Sequence, residues 1–308
     1  MYARGPRFRL SANSGNYAAA AHLVAWYKLN DDDSVITDYS ATRRSGRFYS
    51  NGDIANPSIV DLTASLNNPV SATPAAVAPL ADLDFDGQDD VVEIADHNDF
   101  SVPSTGQMTI SAWIKPSALT FDRVDGTGYV HWMSKGNAGE HEWAFRMYSA
   151  ENSEDRENRI SFYLFNPDGG LGAGSYVQED VRVGEWIHIV AKIDGERIYI
   201  YKNGVLKDSD TYRGAPYAIN PQNRAAAVRI GGNERTSFEG AIGDVAIFYP
   251  ALTNDELTAI YQGGRGFTFN RNVGSYNGAT DLVAWYQLHG GQAITDLSGH
   301  EHDGILRT

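Results

Sequence analysis

Carboxylates dominate the reactive side chains of this 308-residue chain. There are 39 Asp and Glu against 25 Lys and Arg, with 8 His and no Cys. The lack of Cys excludes disulfides, thiolate metal sites and thiol nucleophiles. What is left is acid–base chemistry by carboxylates and His, cation binding by carboxylates, and recognition by aromatic rings. A pair of carboxylates flanking one glycosidic bond makes a hydrolase. The densest acidic cluster, Glu151, Glu154, Asp155 and Glu157, sits among Asn152, Ser153, Arg156 and Asn158. That composition reads as a solvated loop, not as a strand presenting a catalytic pair. No G-x-S-x-G turn is present to carry a serine nucleophile. Asp84-Phe-Asp-Gly-Gln-Asp-Asp90 opens like a calcium loop, but Ala95 stands where the twelfth-position Glu belongs. A turn between two strands fits the segment better. Gly169-Gly-Leu-Gly-Ala-Gly174 is followed by no helix, so it reads as a flexible loop and not a phosphate cradle.

Sugar recognition asks for an aromatic platform with amides or carboxylates nearby. Tyr129, His131, Trp132, Trp143, Tyr148 and Tyr176 are the candidates. Strand alternation sends Trp132 to the face opposite Tyr129 and His131, so the six do not all share one cleft.

The elements that position these residues are short strands. Met108, Ile110, Ala112 and Ile114 alternate with Thr109, Ser111, Trp113 and Lys115. Residues 23–29, 129–134, 142–148, 159–165, 228–230 and 241–249 read as strands as well. Ile187, Ile189, Ala191 and Ile193 share one face, Asp194-Gly195 turns, and Arg197–Tyr201 returns. Asn203-Gly204 is a second turn of this kind. Thr253-Asn-Asp-Glu256 is a capping box, followed by Leu257, Ile260 and Tyr261 and stopped by Gly263-Gly264. Pro and Asn in residues 41–81 oppose regular structure. The fold class is all-β: an antiparallel two-sheet sandwich with one short helix near the end of the domain.

A net charge of −14 excludes generic affinity for the phosphate backbone or an anionic membrane surface. No run of 18 apolar residues predicts a membrane-inserted helix. Met1–Leu10 has charge without an apolar stretch behind it, so no Sec signal is expected.

Two stretches are near-duplicates. Residues 8–29 align without a gap on residues 267–288, an offset of 259 residues from Phe8 to Phe267. His22-Leu-Val-Ala-Trp-Tyr-Lys-Leu29 matches Asp281-Leu-Val-Ala-Trp-Tyr-Gln-Leu288. Ile36-Thr-Asp-Tyr-Ser40 then matches Ile294-Thr-Asp-Leu-Ser298, and Gly46 matches Gly304. Such a period fits one large β domain rather than a solenoid. The expected organisation is an N-terminal arm at 1–21 and a complete domain at 22–262. A linker at 263–281 repeats the arm, and 282–308 forms the opening strands of a second, incomplete copy. Three readings follow for 282–308: a piece of a longer tandem protein, a strand donor to a neighbouring subunit, or an extra layer on its own domain.

Four segments together resemble the laminin-G-like, concanavalin A-like jelly-roll family. They are Leu83–Ile94 around Phe85-Asp-Gly87; Met108-Thr-Ile-Ser-Ala-Trp-Ile-Lys-Pro116; Gly184–Val190 with Ile198–Gly204; and Phe238–Phe248 with Ala251–Leu257. The resemblance covers residues 22–262 and implies a jelly roll. It leaves function open, because one superfold hosts lectins, adhesion modules, spacers and glycanases. The E-x-D-x-x-E pattern of the family's glycanases has no match here, so no enzyme is expected, and His188 beside Trp186 is expected to be structural. The family's structural Ca²⁺ implies Asp38, Asp244 and Asp86 as ligand candidates. In the stretch corresponding to the pentraxin calcium site, Asn233-Glu-Arg-Thr-Ser237 lacks the second acid. The expected function is a non-catalytic adhesion or carbohydrate-recognition module of a surface assembly, such as a phage virion appendage or extracellular fibre. Its partners would be a glycan and neighbouring subunits reached through 267–308, and its location extracellular or on a virion surface. The alternatives are a purely structural virion or fibre subunit assembling through its repeated terminal segments, and a divergent glycanase or polysaccharide lyase.

Overall fold

The structure is a computed structural model and describes residues 35–36, 46–47, 82–137, 139–166, 172–214, 218–288 and 293–308. The chain divides into two compact units, residues 1–78 and 79–308. In the first, β1 (Val35–Ile36) pairs antiparallel with β2 (Gly46–Arg47), placing Ile36 opposite Gly46. The predicted strand at 23–29 lies outside the described residues.

The second unit is the sandwich. Its first sheet runs β12 (Val205–Thr211), β11 (Arg197–Lys202), β10 (Ile187–Ile193), β5 (Met108–Pro116), β14 (Glu239–Phe248) and β15 (Leu282–Tyr286). A seventh strand, β3 (Asp84–Asp86), also pairs with β14. The second sheet runs β16 (Ala293–Ile294), β17 (Gly304–Arg307), β4 (Val91–Ile94), β13 (Val228–Ile230), β6 (Tyr129–Lys135), β7 (Trp143–Tyr148), β8 (Ile160–Phe165) and β9 (Gly172–Val177). All the pairings are antiparallel. The period-2 pattern explains the layers: Met108, Ile110, Ala112 and Ile114 face Trp132, Phe145, Phe162 and Ile230 across one buried core. The last of the Gly-rich residues, 172–174, belong to β9 and are not loop as the composition suggested. Tyr163 lies across Gly174, where a Cβ would come within 2.6 Å of its ring, so that glycine is used for close packing.

A second apolar cluster covers the outer face of the first sheet. Helix Asn254–Gly263 lies there with the predicted capping box intact: Glu256 N–H donates to Thr253 Oγ1, and Thr253 N–H donates to Glu256 Oε2. The segment expected to be a linker supplies Phe267, Phe269 and Tyr276, all buried. Tyr276 Oη donates to the Phe269 carbonyl at 2.7 Å. Its polar, Gly-rich composition hid three aromatic anchors spaced too irregularly to form an element.

Segment 282–308 is seated in the same sandwich. β15 extends the first sheet along Val245–Phe248 of β14, and β17 extends the second along Val91–Ile94 of β4. This is the extra-layer reading of the three, with one difference: the strands join both sheets and do not lie over one of them.

Candidate functional site

Strands β6, β7 and β8 place alternate side chains on the outer face of the second sheet. On β7, Trp143, Phe145 and Met147 enter the core, and Arg146 points outward. Cross-strand register sets Tyr129 opposite Tyr148 and His131 opposite Arg146, and a bulge follows His131. The bulge turns Trp132 and Met133 into the core together. A cavity of about 180 Å³ opens beside this register, lined by Asp125, Tyr129, His131, Gly139, His141, Arg146, Phe165, Asn166 and Arg235.

Arg146 is the centre of the site. Its guanidinium carbon lies 4.1 Å from the Tyr129 ring centre, 4.7 Å from Tyr163 and 5.1 Å from Phe165. Aromatic faces attract the cation and hold its planar group in place. Arg146 Nε donates to His131 Nε2 at 3.2 Å. His131 and His141 stack with ring centres 4.5 Å apart. The Asn233 side-chain amide lies 3.2 Å from His131 Nδ1 and 3.4 Å from His141 Nε2. Its Oδ1 accepts Arg235 N–H and Thr236 N–H at 2.9 Å each, which folds the 233–236 loop over the site.

Burial, the neighbouring imidazole and Arg146 push His131 well below the usual histidine range. Burial first, then Arg146, lowers His141 to about 4. Both rings are therefore neutral at pH 7. Two arginines face one carboxylate, Asp125, in this cavity, so it is locally cationic within a chain of net charge −14.

The sequence candidates divide between wall and core. Tyr129 and His131 line the cavity. Trp132 and Trp143 are fully buried, and Trp143 Nε1 donates to the Phe100 carbonyl at 2.8 Å. They are packing residues and present no surface to a sugar. Tyr148 is 1% exposed. Its hydroxyl accepts from Ser161 Oγ and from Arg156, which also bonds the Tyr163 hydroxyl. Tyr176 lies beyond, with the Arg156 guanidinium 5.3 Å from its ring centre. Arg146, Asp125, His141, Phe165, Asn166 and Arg235 were missed. The outward parity of Arg146 opposite His131 was the signal available for the first of them.

His188 is buried on the outer face of the first sheet, 2.8 Å from Ser111 Oγ and between the Trp113 and Tyr261 rings. Burial lowers it to about 3. Its described neighbours are Ser111, Trp113 and Tyr261.

Of the metal candidates, Asp244 and Asp86 lie at different points along β14 and do not share a ligand set. Asp38 lies outside the described residues. Asp244 Oδ2 accepts Gly266 N–H at 2.8 Å. Asp86 sits at the other end of β14, opposite Glu239. Its cluster with Asp89 and Asp90 builds the β3–β4 turn: Asp86 Oδ1 accepts Gln88 N–H, and Asp90 Oδ2 accepts Asp86 N–H. His97, Asp99 and His302 bring ligand-type atoms within 4.8 Å of one another. There the His97 Nδ1 lone pair already accepts Asp99 N–H at 3.3 Å and caps a 3₁₀ turn.

The model of the family described as the Concanavalin A-like lectin/glucanases superfamily matches residues 86–258. The chain belongs to this superfamily. Solved structures similar to it include a candidate carbohydrate-binding protein from Bacteroides ovatus, at TM-score 0.52 and 16% identity. That match covers 74% of this chain and 58% of the other. The receptor-binding domain of a botulinum neurotoxin C/D mosaic matches at TM-score 0.45 and 15% identity, over 60% of this chain and 42% of the toxin chain. A pentraxin from Limulus polyphemus matches at TM-score 0.40 and 13% identity, over 72% and 95%. The chain thus spans little over half the length of the Bacteroides ovatus protein. No curated protein matches it. Among the described residues, no helix is long and apolar enough to cross a membrane.

Proposed function

We propose that the chain is a non-catalytic carbohydrate-recognition module and that its ligand enters the cavity around Arg146. The observation that carries this reading is the Arg146 stack. A guanidinium held between aromatic faces, with neutral imidazoles and the Asn166 amide beside it, offers fixed donors and apolar walls of the kind a sugar ring requires. Superfamily membership supports the reading, as does the carbohydrate-binding description of the Bacteroides ovatus protein. Against catalysis stands the carboxylate count: glycoside hydrolysis uses two acids, and Asp125 is the one carboxylate among the described lining residues. The paired Arg146 and Arg235 favour a carboxylate-bearing sugar over a neutral one, because a fork of donors matches a carboxylate bidentately. Placement within a larger surface assembly, virion appendage or fibre, belongs to this proposal and gains its support from the repeated segments.

The test is retention on immobilised neutral and uronic-acid polysaccharides, with and without chelator. The expected result is retention on the acidic set, weakened at least roughly tenfold by Arg146→Ala, the loss of a charge-assisted contact. Tyr176→Ala, beyond the cavity, is expected to leave retention unchanged. Release of sugar fragments would transfer the chain to the glycanases. Loss of retention on chelation alone would place calcium in the ligand site.

A further inference from the structure

The place that residues 281–308 occupy is a slot spanning both sheets. On one side it is the free edge of β14 from Val245 to Phe248; on the other it is the edge of β4 from Val91 to Ile94. Its requirements can be read from what fills it. Ala284, Tyr286, Leu288 and Ile294 enter the main core, and Leu282 and Trp285 enter the second cluster. Asp296 ties the segment together: its carboxylate accepts the N–H groups of Trp285, Ser298 and His302. Gly304 passes so close to β4 that a Cβ there would meet Ile94 at 3.1 Å.

Residues 22–47 meet each of these requirements. Leu23-Val-Ala-Trp-Tyr27 repeats Leu282–Tyr286, and Leu29, Ile36, Asp38 and Gly46 stand for Leu288, Ile294, Asp296 and Gly304. The short hairpin agrees as well. Ile36 lies opposite Gly46 in the first unit as Ile294 lies opposite Gly304 in the second, and Val35 opposite Arg47 as Ala293 opposite Ile305. Matched positions thus come with identical register, and the Ile–Gly pair is the same in both copies. The copies differ in the connecting loop and at His22, Lys28, Val35, Tyr39, residues 41–45 and Arg47, whose seated counterparts are half-buried or exposed; one of these, Gly299 at φ 94°, is matched by Ala41.

We propose that this slot accepts residues 22–47 of a second copy of the chain, in the register now held by 281–308. The sequence carries two segments that match this slot, and among the described residues the slot is filled by 281–308. The N-terminal segment matches the slot of another copy in sequence and in hairpin register. Exchange keeps the residue types at the buried positions of the segment, as in domain swapping, and links copies head to tail, a geometry that need not close. The seated segment keeps an advantage of effective concentration, in the mM range for a short tether. Exchange therefore grows with protein concentration and with anything that loosens 281–308. The inference is independent of the glycan reading.

The cysteine-free chain allows a direct test on full-length protein. Glu93 lies opposite Ile305, whose counterpart in the repeat is Arg47. Differently tagged E93C and R47C chains are mixed at high concentration and oxidised. The expected product is a mixed disulfide dimer, roughly tenfold above that from E93C with the out-of-register T42C, and raised further when the E93C chain also carries Asp296→Ala. An E93C/I305C chain is expected to close within itself and stay monomeric. If E93C/I305C closes but the R47C mixture yields no more dimer than the T42C mixture, 22–47 is not an occupant. If E93C/I305C itself fails to close, the slot is not filled as described and the inference falls with it.

Discussion

The two stacked histidines set how the binding face responds to acid. His141 is held near 4 by burial and by Arg146, and His131 lies well below its usual range. In the unfolded chain both titrate near 6.5. The unfolded state therefore binds more protons between those values, and stability falls as pH falls through that window. The contribution is complete above about pH 6.5 and is lost as pH drops toward 4, by about 3 kcal/mol for His141 alone at its full shift. Urea midpoints at pH 7, 5.5 and 4.5 should decline, and His141→Gln should flatten that decline by about one proton's worth. An unchanged slope in the variant would mean that His141 titrates in the fold as it does in the unfolded chain. The same face shows what was legible. Tyr129 and His131 could be found because aromatic residues were sought. Arg146 could not, because one arginine on a strand has no signature until the opposing strand's register is known. Trp132 and Trp143 misled for the opposite reason: a large indole fits a core as well as a platform, and the bulge after His131 is invisible in an alternation pattern.

Elements with their own local chemistry were readable, and elements defined by distant partners were not. The capping box at Thr253 is local, and it closes as its spacing predicts. Glu256 there also accepts Asn277 N–H at 3.2 Å, so the cap pins the incoming aromatic segment. Thr253→Ala should cost about 1 kcal/mol through the lost cap, read as a lower urea midpoint at unchanged slope. Segment 282–308 carries no such local clue. Its apolar residues match an opening strand, and the repeat suggested that its partners lay elsewhere, whereas β14 and β4 receive it. The Asp296 carboxylate bonds across the seated segment. Donation from three backbone N–H groups and Ser298 lowers its pKa against the opposing effect of burial. Asp296→Ala strands those N–H donors and should cost about 2–4 kcal/mol, and more than Asp38→Ala if 281–308 is the resident segment. Calorimetry on the two variants compares them directly, and equal losses would mean that both segments share the slot at rest.

At the scale of the molecule, the sandwich is closed at its sides by two devices. On one side β9 and β12 meet: Asp208 Oδ2 accepts Tyr176 N–H at 3.1 Å, and Asp210 Oδ2 accepts Ser175 Oγ at 3.2 Å. On the other, the chain itself crosses from β15 in the first sheet to β16 and β17 in the second. An edge strand left unpaired presents a row of amides and carbonyls and an uncovered core. The second crossing completes both sheets beyond residue 262, where family resemblance alone places the end of the domain. A chain of residues 79–308 contains both sheets, both apolar clusters and both closures, and it should melt in one cooperative transition. A chain of residues 79–280 lacks the strands against Val245–Phe248 and Val91–Ile94 and exposes Ile247 and Val92, both fully buried when the slot is filled. It should lose cooperative melting or self-associate through the open edges, as calorimetry with light scattering would show. Adding the 281–308 peptide back should restore the transition, because the slot's chemistry is carried by that segment and not by the covalent link to it. A monomeric 79–280 chain melting as sharply as 79–308 would show that the family's core strands close the sandwich without the crossing.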